Sequence, residues 1–80
     1  MHIETWFYYE HDHTKCDPAT RMKATNVEDA KAECSSKPNK ECRRFNDHFN
    51  QGKVFSACPG GSSMYPSVKD GYMMYDKGTE

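Results

Sequence analysis

Thr25-Asn26-Val27-Glu28-Asp29-Ala30-Lys31-Ala32-Glu33-Cys34-Ser35-Ser36-Lys37-Pro38, with Cys42 four positions further on, is the stretch whose reading decides the fold. Thr25 and Glu28 have the spacing of a capping box, in which the Thr25 hydroxyl accepts the Glu28 amide proton and the carboxylate reaches back. Val27, Ala30 and Cys34 recur at i, i+3 and i+7, which predicts a helix with that stripe buried and Glu28, Lys31 and Glu33 toward water. Ser35-Ser36-Lys37-Pro38 ends it, because proline disfavours a helical conformation in the residue before it. Cys34 then ties the end of the helix to the strand that follows.

Outward from this helix the pattern turns to strands. Downstream, residues 41–46 carry Cys42 and Phe45, and residues 53–58 carry Val54, Phe55, Ala57 and Cys58. Asn50-Gln51-Gly52 supplies turn chemistry between them, so the two predict an antiparallel hairpin. Pro59-Gly60-Gly61-Ser62-Ser63 reads as a flexible loop, and Asp70-Gly71 turns the chain into a last strand, Tyr72-Met73-Met74-Tyr75. Met64, Met73 and Met74 are expected to fill gaps in the core. Upstream, Ile3 to Tyr9 is rich in β-branched and aromatic residues and predicts a strand contacted on both faces. It runs into polar His11-Asp12-His13-Thr14-Lys15 and the turn signal Asp17-Pro18, and a second short strand covers Arg21 to Ala24. The expected fold class is α+β, one disulfide-stapled domain spanning 1–80 with a helix packed on a curved antiparallel sheet.

Composition explains why staples are needed. Only 35% of residues are hydrophobic and the mean hydropathy is -1.05, so few aliphatic side chains are present to offset the conformational entropy of folding. The four cysteines, Cys16, Cys34, Cys42 and Cys58, answer that need. Zinc ribbons and fingers bring paired ligands from one tight turn, as C-x2-C or C-x4-C, and no such pair occurs here. Disulfides are therefore expected. Sequence alone leaves three connectivities open; the spacing favours the nested one, Cys16 with Cys58 and Cys34 with Cys42. Such bonds persist in oxidising compartments, which implies an extracellular or secreted setting.

Other classes are disfavoured. The opening residues, Met1 to Trp6, have neither a basic start nor an apolar run, and read as the start of a mature domain to which Met1 was added. No stretch approaches the roughly 20 apolar residues that cross a bilayer, so no membrane insertion is expected. Net charge is -1 with both signs interspersed, which offers nucleic acid no broad basic face.

The order of these features resembles a known family. The run Asn26 to Cys34, a short polar gap, Cys42-Arg43-Arg44-Phe45, a hairpin, Val54-Phe55-Ser56-Ala57-Cys58 and finally Gly71 to Lys77 is similar to PAN/apple domains, from Cys16 onward. The resemblance implies a secreted, non-catalytic module that binds carbohydrate or protein, with a helix cradled by a curved sheet and with no cofactor. Many members carry two helix cysteines four positions apart, whereas this chain has Ala30 one turn before Cys34. On that resemblance Cys16 replaces the missing partner and bonds Cys58.

The chemistry-bearing residues weigh against catalysis. No serine lies in a G-x-S-x-G elbow, Gly60-Gly61-Ser62-Ser63 has neither the lysine nor the following helix of a phosphate cradle, and so small a domain offers no deep cleft in which to raise a carboxyl pKa. Binding is better served. Trp6, Phe7, Tyr8 and Tyr9 exceed what this core can hold, and exposed rings offer stacking surfaces to a sugar or a protein partner; Tyr65, Tyr72 and Tyr75 invite the same reading. Arg43 or Arg44, on opposite strand faces, can pair with acidic groups of a glycan. The candidate ligand-contacting residues are Trp6, Tyr8, Arg43, Tyr65 and Tyr72. Two alternatives stand beside a recognition module that forms part of a larger multidomain or multimeric assembly. One is a free-standing secreted effector or inhibitor. The other is a metal site built on His11 and His13, completed by His2, His48 or Asp47.

Overall fold

Alternation along Arg44–Asp47 sets the architecture, because successive strand residues face opposite sides of a sheet. Phe45 and Asp47 point toward the helix, Arg44 and Asn46 away from it. The computed structural model describes residues 7–77. In chain order these form β1 (Tyr8–Asp12), β2 (Thr14–Asp17), β3 (Thr20–Arg21), α1 (Val27–Ser35), β4 (Arg44–Asp47), a short 3-10 turn (His48–Asn50), β5 (Phe55–Cys58), β6 (Ser63–Pro66) and β7 (Met73–Lys77). Five strands make one sheet in the order β1-β7-β4-β5-β3, and β2 pairs with β6 as a separate ribbon. Every pairing is antiparallel. The described residues are thus a small α+β fold with one helix, antiparallel sheets and two disulfides.

The helix covers one face of the sheet. Ala30 and Cys34 of α1, Cys42, Met22, Phe45, Phe55, Ala57 and Tyr75 form the main core. Phe45 is its centre, stacked on Tyr75 at 4.9 Å between ring centroids and edge-on to Tyr8 and Phe55. The ribbon covers the opposite face around a smaller cluster of Cys16, Cys58 and Met74. Asn46, 2% exposed, fastens the ribbon down: its Oδ1 accepts from Cys16 N at 3.1 Å and its Nδ2 donates to Thr14 O at 2.7 Å. Cys16 bonds Cys58, joining ribbon to β5 with Cα atoms 6.0 Å apart. Cys34 bonds Cys42, joining α1 to the approach of β4 at 5.4 Å.

Several local expectations shift. The helix is capped one residue later than Thr25: Asn26 Oδ1 accepts from Asp29 N at 2.9 Å and Asn26 Nδ2 donates to Asp29 Oδ2 at 3.0 Å, consistent with the stronger N-cap preference of asparagine over threonine. Glu33 does not face open water. Its carboxylate accepts from the backbone N–H groups of Lys23 and Ala24, which lead into the helix and have no ladder partner. The polar stretch 11–15 is largely strand, because β1 is an edge strand whose backbone is satisfied by β7 while its side chains stay solvated. Residues 63–66 also form a strand, paired to β2, and Met64 there is 49% exposed rather than a core filler. The aromatic start of the first predicted strand, through Trp6, lies outside the described residues. The described helix is too short and too polar to cross a membrane.

Candidate functional site

Where β4 leaves the sheet, the buried Asp47 carboxylate accepts from Gly52 N at 2.9 and 3.0 Å and closes the loop to β5. That closure holds His48 on the ribbon side of the sheet, beside Ser56 of β5. A hollow of about 180 Å³ opens there between ribbon and sheet, walled chiefly by Lys15, Asn46, His48, Ser56, Tyr65 and Tyr72.

Its polar groups are already organised. His48 Nε2 lies 2.6 Å from Ser56 Oγ and His48 Nδ1 lies 3.2 Å from the Tyr72 hydroxyl. A neutral imidazole carries one N–H, so it donates to one of these hydroxyls and accepts from the other. Burial, reinforced by the positive charges of Arg21 and Lys15, holds the His48 pKa below its ordinary value, while Asp47 opposes weakly. Lys15 Nζ reaches Asp70 Oδ2 at 2.6 Å and lies 4.3 Å from the centre of the Tyr72 ring. The hydrogen bond between them raises the Lys15 pKa and lowers that of Asp70, so the pair stays fully charged near neutrality.

Aromatic rings form the rim. Tyr65, 44% exposed, sits opposite Lys15 in the ribbon. Tyr72 meets His48 at 4.8 Å and Phe49 edge-on at 5.1 Å. Phe49 is 53% exposed and holds φ 58, ψ 17, a left-handed conformation that bulky side chains rarely adopt. An exposed apolar ring on a strained backbone is a feature that clusters at binding sites.

Of the residues proposed from sequence, the structure brings Tyr65 and Tyr72 together at this hollow. Tyr8 is elsewhere. Its ring packs edge-on against Phe45, its hydroxyl donates to Lys31 O at 3.1 Å and lies 2.9 Å from Ser35 Oγ, so it anchors α1 to β1, and burial raises its pKa. Arg43 is also placed apart: Arg43 Nε lies 3.8 Å from Asp76 Oδ1 and Arg44 Nε 3.4 Å from Asp76 Oδ2, with His11 Nε2 at 3.8 Å. One carboxylate thus gathers two guanidinium groups and an imidazole, on a part of the sheet apart from the hollow. Trp6 and His2 lie outside the described residues. The proposed metal ligands are not assembled: His11 is on β1, His13 follows in a left-handed turn at φ 53, and Asp47 and His48 face opposite sides of the sheet. Among the described residues no three His, Cys, Asp or Glu side chains converge to hold an ion.

Lys15, Phe49 and Ser56 are not singled out from sequence as contributors to a binding site, and His48 enters there only as a third ligand for a metal site on His11 and His13. Phe49 carried a usable signal, an aromatic residue set inside turn chemistry, Asn50-Gln51-Gly52, where no core requires it. A second, larger hollow of about 310 Å³ at the β3 edge is walled by Arg21, Lys37, Lys40 and Glu41 among others, without an aromatic ring. Comparison with known protein families, with curated proteins and with solved structures found no match.

Proposed function

We propose that this chain is a secreted, non-catalytic recognition module of PAN/apple type that binds the terminal residue of a carbohydrate in the hollow between Tyr65 and Tyr72. The observation that carries this reading is the meeting of two tyrosine rings, Tyr65 exposed and Tyr72 half-buried, with hydrogen-bonding groups in one small hollow. Flat rings suit the apolar face of a sugar, and the hydroxyl and amino groups of Ser56, Tyr72 and Lys15 suit its hydroxyls. At about 180 Å³ the hollow is smaller than the roughly 300–1,000 Å³ of sites that enclose a whole ligand. It therefore suits the end of a longer chain.

The order of helix, paired cysteines and strand, with the helix on an antiparallel sheet, supports the PAN/apple reading. Two disulfides support secretion. The Ser56–His48 contact is compatible with binding and poorly suited to acyl transfer. Ser56 lies mid-strand, paired to Arg21 on one side and Asn46 on the other, so its backbone N–H belongs to the sheet and is not free to cradle an oxyanion.

Screening an oligosaccharide array tests the reading. The expected result is binding that falls about two- to tenfold in Tyr65→Ala and Tyr72→Ala, in keeping with about 0.5–1.5 kcal/mol per aromatic contact, with the melting transition retained and with Tyr72→Phe closer to the parent. Affinity unchanged in both alanine variants would remove the hollow from consideration, and a blank array would point to a protein ligand.

A further inference from the structure

We infer that the sugar held in this hollow is an acidic one, presenting a carboxylate or sulfate group to Lys15 and Arg21. This inference rests on the carbohydrate reading of the same site and adds the chemical class of its ligand.

Lys15 walls the hollow, and Arg21 stands one strand away beside Ser56, where it also walls the second hollow at the β3 edge. Lys15 comes from β2 and projects over the Tyr72 ring. Arg21 comes from β3, directly opposite Ser56 in the β3–β5 ladder; cross-strand partners share a face, so its side chain stands on the same side of the sheet as the Ser56 hydroxyl. Arg21 is exposed and has no ion pair among the described residues. Its charge and that of Lys15 both act on the His48 ring. No carboxylate lines the hollow. The nearest one tied to it, Asp70, is bonded to Lys15 and to Ser67 Oγ at its rim, and Lys15 retains two further N–H donors for a ligand.

The positive character is local. The whole chain has a net charge of -1, so it exerts no general attraction on anions, and an acidic ligand would be drawn by these two side chains in particular. The other arginines are committed: Arg43 and Arg44 both serve Asp76. An exposed guanidinium one strand from the ring-lined hollow, on the same sheet face as Ser56, suits the paired oxygens of a carboxylate or sulfate.

The test measures binding of matched oligosaccharides that differ only in their terminal residue: a neutral hexose, the corresponding uronic acid, and the hexose bearing a sulfate ester. Acidic forms are expected to bind at least tenfold more tightly than the neutral one at 0.05 M salt, with the advantage shrinking at 0.5 M as charges are screened. The uronic acid and the sulfate ester, compared side by side, show which anion fits. Arg21→Gln and Lys15→Gln should each remove most of the advantage, and Arg21→Lys should restore part of it. Arg21 is exposed, and its variants are expected to keep the parental melting temperature. Equal binding of neutral and acidic forms would overturn the inference and leave the sugar site standing, as would an acidic preference unchanged in both glutamine variants. Loss of all oligosaccharide binding, or binding indifferent to Tyr65→Ala and Tyr72→Ala, would sink the site itself and this inference with it.

Discussion

Phe49 holds a backbone conformation that costs a bulky residue about 1 kcal/mol or more, yet its ring gains little burial in return, being 53% exposed. Its only described aromatic contact is the edge of Tyr72. A residue kept for folding would bury more, so the ring is better explained as part of a binding rim. Phe49→Asn is therefore expected to leave stability to urea equal or slightly higher, because asparagine tolerates left-handed backbone, while sugar binding weakens. A stability loss above about 1 kcal/mol would instead mark the ring as structural. His48 makes the second residue-scale case. Its folded pKa lies below its ordinary value, so the unfolded chain takes up a proton that the folded chain resists. The resulting stability is present above about pH 6.5 and is lost as pH falls through the folded value. Stability curves of the parent and His48→Gln, measured between pH 7 and pH 5, should show the steeper decline in the parent; parallel curves would contradict the burial argument.

At the scale of elements, one side chain joins the Cys16–Cys58 bond and the Thr14 N–Tyr72 O hydrogen bond in seating the ribbon. Asn46 satisfies the N–H of Cys16 and the carbonyl of Thr14 from inside the sheet, and no other strand hydrogen-bonds β2 except β6. Asn46→Ala leaves both groups buried without their partner and is expected to cost about 2–4 kcal/mol, measurable by denaturant titration. A loss below about 1 kcal/mol would mean that the disulfide and the Thr14 N–Tyr72 O hydrogen bond suffice to seat the ribbon. This ribbon is also where sequence reading ran out. The helix, the β4–β5 hairpin and the last strand were legible because Ala30, Cys34, Phe45, Phe55 and Tyr75 follow the periods of buried structure. β2 and β6 were not, because Thr14, Lys15 and Asp17 are polar, and Ser63 to Pro66 are all exposed. Their strand character comes from pairing with each other and from Asn46 and Cys58 across the gap, which local propensity does not register. The site shared that fate. Tyr65 and Tyr72 were visible as surplus aromatics, whereas Lys15, His48 and Ser56 come together only through the ribbon's placement.

For the whole molecule, the two disulfides divide their labour between stability and site. By chain entropy, the bond closing 42 positions contributes about 4 kcal/mol and the bond closing 8 positions about 2.5 kcal/mol, large fractions of the 5–15 kcal/mol that a small domain commands. They act in different places. Cys34–Cys42 joins the helix to the approach of β4, on the face away from the hollow. Cys16–Cys58 fixes the ribbon that carries Lys15 and Tyr65, so its loss should dissolve the hollow before the main core of Phe45, Phe55 and Tyr75 gives way. The paired variant Cys16→Ser with Cys58→Ser is thus expected to lose sugar binding even at low temperature, where circular dichroism still reports the helix. Cys34→Ala with Cys42→Ala should melt earlier but bind almost normally while folded. Calorimetric binding well below each variant's melting transition separates the two. Equal losses in both variants would show that the ribbon and the helix face are coupled through one cooperative core, and that the hollow has no independent dependence on the outer bond.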